Sequence, residues 1–126
     1  MKVKIIAGST KDEPFIQRIT TKLEEYLIPY EVHFASAHKE PTKVLELLAN
    51  DKSEKVICVT VAGLSNALSG FVAANSNFIT IACPPFKDNL DMMTNINSTL
   101  QMPSKVPVLT ILNPENCALA IKRIYF

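Results

Sequence analysis

"KVICVTVA" (residues 55–62) is the most apolar run of the chain, and it stops against Gly63. It shows no polar–apolar alternation and is rich in β-branched residues. Such a run reads as a strand buried on both faces, which belongs in a parallel sheet covered by helices on either side. Working outward, "VKIIAG" (3–8), "YEVHFAS" (30–36), "FITIAC" (78–83) and "VPVLTIL" (106–112) read as further strands. Between them lie amphipathic or helix-compatible stretches: "EPFIQRITTKLEEYL" (13–27), "PTKVLELLAN" (41–50), "SNALSGFVAAN" (65–75), "DNLDMMTNINSTLQ" (88–101) and "PENCALAIKRIYF" (114–126). Phe15, Ile16, Ile19 and Leu23 fall on one side of the first helix; Val44, Leu45, Leu47 and Leu48 supply the apolar residues of the second.

This strict alternation predicts an α/β fold, a three-layer α/β/α sandwich around a five-stranded parallel sheet. Right-handed crossovers leave few topologies, and the flavodoxin-like order 2-1-3-4-5 is the one expected here. The 126 residues suit a single domain, 1–126. In such sheets ligands bind beyond the carboxyl ends of the strands, where strands 1 and 3 diverge.

Charge is balanced, with 13 Lys and Arg against 12 Asp and Glu, so no basic field for nucleic acid and no polybasic membrane patch is expected. No run approaches transmembrane length and the N-terminal apolar stretch is short for a signal peptide, so the expected location is the cytosol. Cys58, Cys83 and Cys117 are widely spaced, which predicts reduced, buried thiols and no zinc site.

All three glycines (Gly8, Gly63, Gly70) lie in or beside the segments that follow strands 1 and 3. After strand 1 comes "GSTKDEP", offering Ser9, Thr10, Lys11 and Asp12 before a helix start marked by Pro14; a turn into a helix N-terminus suits an anion. Asp12 reads equally as an N-cap, and Lys11 as a solvated lysine. No GxxxxGK[ST] or GxGxxG is present, so a P-loop and a dinucleotide are both disfavoured. After strand 2 comes "SAHKEP", with Ser36, His38 and Lys39. His33 lies on the strand and reads as structural or exposed. His38 lies past it, either in an ordinary turn or as a proton-transfer group, since imidazole titrates near neutrality. After strand 3 comes "AGLSNALSG", whose polar groups are hydroxyls, one amide and backbone; Ser65 or Asn66 also fits a helix cap. After strand 4, "CPPF" reads as a stiff wall. Met102 fits the core, a subunit contact or the pocket. Recurring carboxylate pairs, GxSxG and acidic clusters are lacking, which disfavours glycoside hydrolysis, an esterase elbow and magnesium. A phosphate anchor, one histidine and a donor-rich loop point to proton-transfer or carbon-centred chemistry on a small phosphorylated substrate.

"GSTKDEP", "SAHKEP", "AGLSNALSGFVAAN", "TIACPP" and "STLQMPS" occur in the order found in the phosphoribosylaminoimidazole carboxylase (PurE-like) family of purine biosynthesis, and the chain resembles that family from Lys4 to Phe126. Lys39, Ser65, Asn66, Leu68 and Gly70 resemble the branch of animals and some bacteria, whose members read SAHK and AGxSNxLxG. That resemblance implies a carboxy-lyase joining 5-aminoimidazole ribonucleotide (AIR) to carbon dioxide, giving 4-carboxy-5-aminoimidazole ribonucleotide (CAIR), with no cofactor, ATP or metal. The alternatives are the mutase of the N-carboxylated isomer and a non-catalytic nucleotide-binding or assembly homologue. By the same resemblance His38 is the general acid–base, Ser36 and Lys39 contact the phosphate, and Ser9 and Asp12 hold ribose and phosphate. Ala62, Gly63, Ser65 and Asn66 surround the imidazole and carbon dioxide. The family also implies a homo-octamer. Three positions depart from its pattern: Lys11 stands for a serine and is expected near the phosphate, Leu64 for an arginine, and Lys105 for a glycine.

Overall fold

The computed structural model describes residues 1–51 and 55–125. Strands β1 (Lys2–Ala7), β2 (Glu31–Phe34), β3 (Val56–Val61), β4 (Ile79–Ala82) and β5 (Leu109–Thr110) form one parallel sheet in the order β2-β1-β3-β4-β5. The helices are α1 (Glu13–Glu25), α2 (Pro41–Ala49), α3 (Leu68–Ala74), α4 (Asn89–Asn95), α5 (Asn97–Leu100) and α6 (Pro114–Tyr125). The flavodoxin-like order expected from the alternation is therefore the one adopted.

Side-chain alternation along the strands divides the core in two. Val3, Ile5, Ile57, Val59 and Ile81 pack against Ile16, Ile19 and Leu23 of α1 and Cys117, Ala118 and Ile121 of α6. Ile6, Val56 and Cys58 face the other way, onto Val44 and Leu48 of α2 and Leu68 and Val72 of α3. β3 is buried at every residue, as its unbroken apolar run requires. Each fully buried Val, Leu or Ile contributes about 1.5–3 kcal/mol relative to exposure. All three cysteines are buried free thiols, and burial pushes the Cys58 thiol up to about 12.

Several boundaries differ from expectation. The first helix ends at Glu25, not Leu27. Leu27 takes φ 58°, and the Ile28 N–H reaches back to Leu23 O at 2.9 Å. This is a left-handed helix stop in which a leucine occupies the place glycine usually takes. In the second helix Leu45 is exposed, leaving Val44 and Leu48 as its buried residues. The helix expected over 88–101 is divided at Ile96. Ser98 Oγ donates to Asn95 O at 2.8 Å, and the Thr99 N–H turns to Ile96 O at 3.0 Å, breaking the regular ladder. β5 is only two residues long, not the seven of the apolar run; it lies at the sheet edge, and Pro107 beside it has no N–H to donate. The closing helix was expected to reach Phe126, which lies outside the described residues.

At the amino end of the sheet a buried charge cluster ties β1 to the end of α2. The Lys4 ammonium, 2% exposed, meets the Asp51 carboxylate and donates to Leu47 O at 2.7 Å. Lys2 bridges Asp51 at 2.9 Å and Glu31 at 2.7 Å. His33 is held by Glu31 at 2.9 Å, the structural role expected of it. This cluster leaves the carboxyl end of the sheet free for the polar loops.

Candidate active site

A cavity of about 620 Å³ opens at the carboxyl ends of the strands, within the range of small-molecule sites. β1 leads to β2 on one side and β3 to β4 on the other, so the loops after β1 and β3 part at this point. The first four strands each contribute lining: Ser9, Lys11 and Asp12 after β1, Ser36 and His38 after β2, Ala62, Gly63 and Ser65 after β3, and Pro85, Phe86 and Lys87 after β4.

The first two loops are shaped by short-range bonds. Ser9 Oγ accepts the Lys11 N–H at 3.2 Å, starting a single 3-10 turn (Thr10–Asp12) that feeds α1. Asp12 stands at the N-cap of α1, yet its carboxylate makes no capping bond. It lines the cavity instead, and burial raises its pKa while the charge of Lys11 pulls the other way. In the second loop Ser36 closes the turn: its carbonyl accepts from Glu40 N at 2.7 Å and its Oγ from Lys39 N at 3.2 Å. His38 rides at the exposed tip of that turn, facing the cavity, and its ring makes no hydrogen bond among the described residues.

The third loop separates two roles that the sequence left together. Ser65 is exposed and lines the cavity. Asn66 is 5% exposed and acts as the cap: its Oδ1 accepts from Leu68 N at 3.0 Å and Ser69 N at 3.3 Å. Its Nδ2 donates to Ser69 Oγ at 2.9 Å and Thr99 Oγ1 at 3.0 Å. Ser98 Oγ receives the Asn66 N–H at 2.9 Å, so α5 fastens this loop from behind. Gly63 lies against the fourth loop: a Cβ there would come 3.1 Å from Pro85 O. Leu64, where the resemblance has an arginine, takes φ 55° at the cavity rim. Lys105, where the family pattern has glycine, takes φ 68°, the backbone glycine adopts most readily. Met102 is half-buried, is not in the cavity lining and packs on α3, its Sδ lying 3.1 Å from where a Cβ on Gly70 would sit.

Of the ten residues singled out from the sequence, the structure gathers Ser9, Lys11, Asp12, Ser36, His38, Ala62, Gly63 and Ser65 around one cavity. Asn66 and Lys39 are not in its lining. Asn66 turns inward to its hydrogen-bond network, and Lys39 is exposed just beyond His38. Pro85 and Phe86 form part of the wall expected of "CPPF", but sequence reasoning missed Lys87 and Asp91 in the lining. It treated the fourth loop as shape alone, and no spacing rule marked a lysine after Pro-Pro-Phe.

Residues 2–125 match the family described as AIR carboxylase. The chain is 45% identical to the phosphoribosylaminoimidazole carboxylase of Archaeoglobus fulgidus, over 99% of this chain and 69% of that protein. It is 36% identical to a protein of Pyrococcus horikoshii named N5-carboxyaminoimidazole ribonucleotide mutase, over 97% of this chain and 71% of the other. The crystal structure of Treponema denticola PurE superposes with a TM-score of 0.91 at 37% identity, covering 98% of this chain and 78% of that one. Fold, loop order and sequence thus agree: the chain belongs to the AIR carboxylase (PurE-like) family of purine biosynthesis.

Proposed function

We propose that the chain is a direct AIR carboxylase, a carboxy-lyase that adds carbon dioxide to ring carbon four of AIR to give CAIR, with no metal, ATP or organic cofactor. The observation that carries the reading is His38 on an exposed turn, facing across one cavity a third loop that contributes no ionisable side chain to the lining. The greater identity to the Archaeoglobus carboxylase than to the Pyrococcus mutase supports the same branch.

The chemistry follows from the substrate. An aminoimidazole is an enamine, so ring carbon four carries a nucleophilic electron pair. That pair forms the new bond to the carbon of carbon dioxide, and one C–O π pair moves onto oxygen to make the carboxylate. His38 takes the proton that leaves carbon four and returns it to solvent. Ser9, Lys11, Asp12 and Ser36 hold ribose and phosphate, with Lys39 adding positive charge from outside the lining. Ala62, Gly63 and Ser65 enclose the ring and carbon dioxide, and Asn66 contributes by keeping their backbone in place. Holding the two reactants together supplies up to roughly 7–11 kcal/mol of the barrier in favourable cases. Donors aimed at the growing carboxylate add to it.

The test offers AIR with dissolved carbon dioxide and, separately, the N-carboxylated isomer, following product by ultraviolet absorbance. Turnover of AIR without ATP is expected. Turnover of the isomer alone would make the protein a mutase, and silence on both would make it a binding homologue.

The working unit we propose is a homo-oligomer, the octamer the resemblance implies. Support comes from α4, which buries none of its residues and leaves Leu90 and Met93 more than two-thirds exposed. Symmetric self-association is the common way to cover such a face. Sedimentation at micromolar concentration should give a multiple of the 13.9 kDa chain; a monomer would contradict it.

A further inference from the structure

We propose that Lys87 reads the carboxylate on the imidazole ring and so separates CAIR from AIR, an inference that rests on the function proposed above. The cavity has two unlike halves. The loops after β1 and β2 supply Lys11, the hydroxyls of Ser9 and Ser36, and His38. The loops after β3 and β4 supply mostly small or apolar walls, and among the described lining residues Lys87 is the one cation there. A nucleotide whose phosphate sits on the first half presents its base to the second.

Lys87 is bonded to the protein through its backbone, and its ammonium makes no direct contact with Asp91, the carboxylate that lines the cavity beside it. Its backbone N–H donates to Asp91 Oδ2 at 2.9 Å, and the other oxygen of Asp91 accepts from Asn95 Nδ2 at 2.8 Å. Asp91 N in turn donates to Asp88 Oδ1 at 2.8 Å, fixing the start of α4. The Asp91 carboxylate is thus engaged by N–H donors, led by that of Lys87, which together with the Lys87 charge hold it below the usual carboxylate range. The ammonium of Lys87 has no carboxylate within 4.0 Å among the described residues, and the side chain is exposed towards the cavity. Pro84 and Pro85 precede it and restrict the loop's backbone.

The chemical difference between the two nucleotides matches this placement. Both carry the phosphate, but only CAIR carries an anion on the ring. A cation on the ring side gains nothing from AIR and gains from charge as it develops on carboxylation. Lysine suits the task, being a point charge on a flexible stem.

The experiment is calorimetric titration of the full chain, Lys87→Gln and Lys87→Arg with AIR and with CAIR. Lys87→Gln is expected to weaken CAIR about tenfold while AIR changes less than about twofold, and Lys87→Arg to restore CAIR, the scale of one partly screened charge-assisted contact. Unchanged affinity for both would overturn the proposal. Equal weakening of both would also overturn it, placing Lys87 on the phosphate. If the unsubstituted protein binds neither nucleotide, the proposed function falls and this contact with it; binding of both with an unaffected Lys87→Gln variant removes the contact alone.

Discussion

The Asn66 side-chain amide donates to Thr99 Oγ1 at 3.0 Å, linking the loop after β3 to α5 across 33 residues of sequence. Ser98, one residue earlier, receives the Asn66 backbone N–H at 2.9 Å. A cavity wall with no charged side chain of its own is therefore held by a helix that contributes nothing to the lining. Replacing Asn66 by Ala would strand the Leu68 and Ser69 N–H groups and the Thr99 hydroxyl in a buried place. The expected loss is about 1–3 kcal/mol of stability, read by urea denaturation. Lost activity with an unchanged midpoint would instead give Asn66 a direct part in ligand binding.

His38 is exposed and its ring is free of protein partners among the described residues, so chemistry and folding separate cleanly there. His38→Asn should keep the wild-type melting temperature and AIR affinity while turnover drops about a hundredfold or more, the scale of a lost acid–base group. Steady-state rates beside a calorimetric titration check both halves. Near-normal turnover would remove His38 from the mechanism.

Lys11 lines the cavity beside Asp12, and its charge opposes the rise that burial imposes on the Asp12 carboxyl. Lys11→Ser should weaken AIR several-fold at low salt and less at high salt, because added ions already screen an exposed charge. Without that cation Asp12 should hold its proton to higher pH, so the acid limb of AIR binding should move upward. Titrations across pH and salt test this, and an unmoved acid limb with unchanged affinity would return Lys11 to bulk solvent.

Asp51 concerns the fold alone. Burial disfavours its ionisation, but hydrogen bonds from Lys4 and Lys2 outweigh that and hold its pKa below the ordinary value. A carboxyl whose folded pKa is depressed contributes stability above its unfolded pKa, about 3.9, and loses it as pH falls through the lower folded value. Asp51→Asn takes from buried Lys4 its nearest carboxylate and leaves it only Glu31 at 4.0 Å and the Leu47 carbonyl, so a loss of up to about 3–5 kcal/mol at neutral pH is expected. The variant should also lose part of the wild-type's acid sensitivity below pH about 4. Urea midpoints at two pH values would show whether the gap between the proteins narrows in acid.

The order of elements, the parallel sheet and the burial of β3 were legible in the chain because hydrophobic period reports burial directly. An unbroken run such as 55–62 has few other uses. Ser9, Ser36 and His38 could be found the same way, since they follow strands and the carboxyl edge of a parallel sheet is where ligands go. The resemblance added their roles. Residue type could not say which way a side chain turns. Ser65 and Asn66 are adjacent and both polar, yet one faces the cavity and the other is locked inward by Ser69 and Thr99, distant partners included. The break at Ile96 depends on where the Ser98 hydroxyl points, and the shortness of β5 on how few partners the sheet edge offers. Lys87 carries no local signature at all; only the folding of the loop after β4 across the cavity from Lys11 gives it a place. Local pattern thus decided which segments pair and which are covered, while side-chain direction and long-range partners, which depend on packing between distant segments, were decided by the tertiary structure.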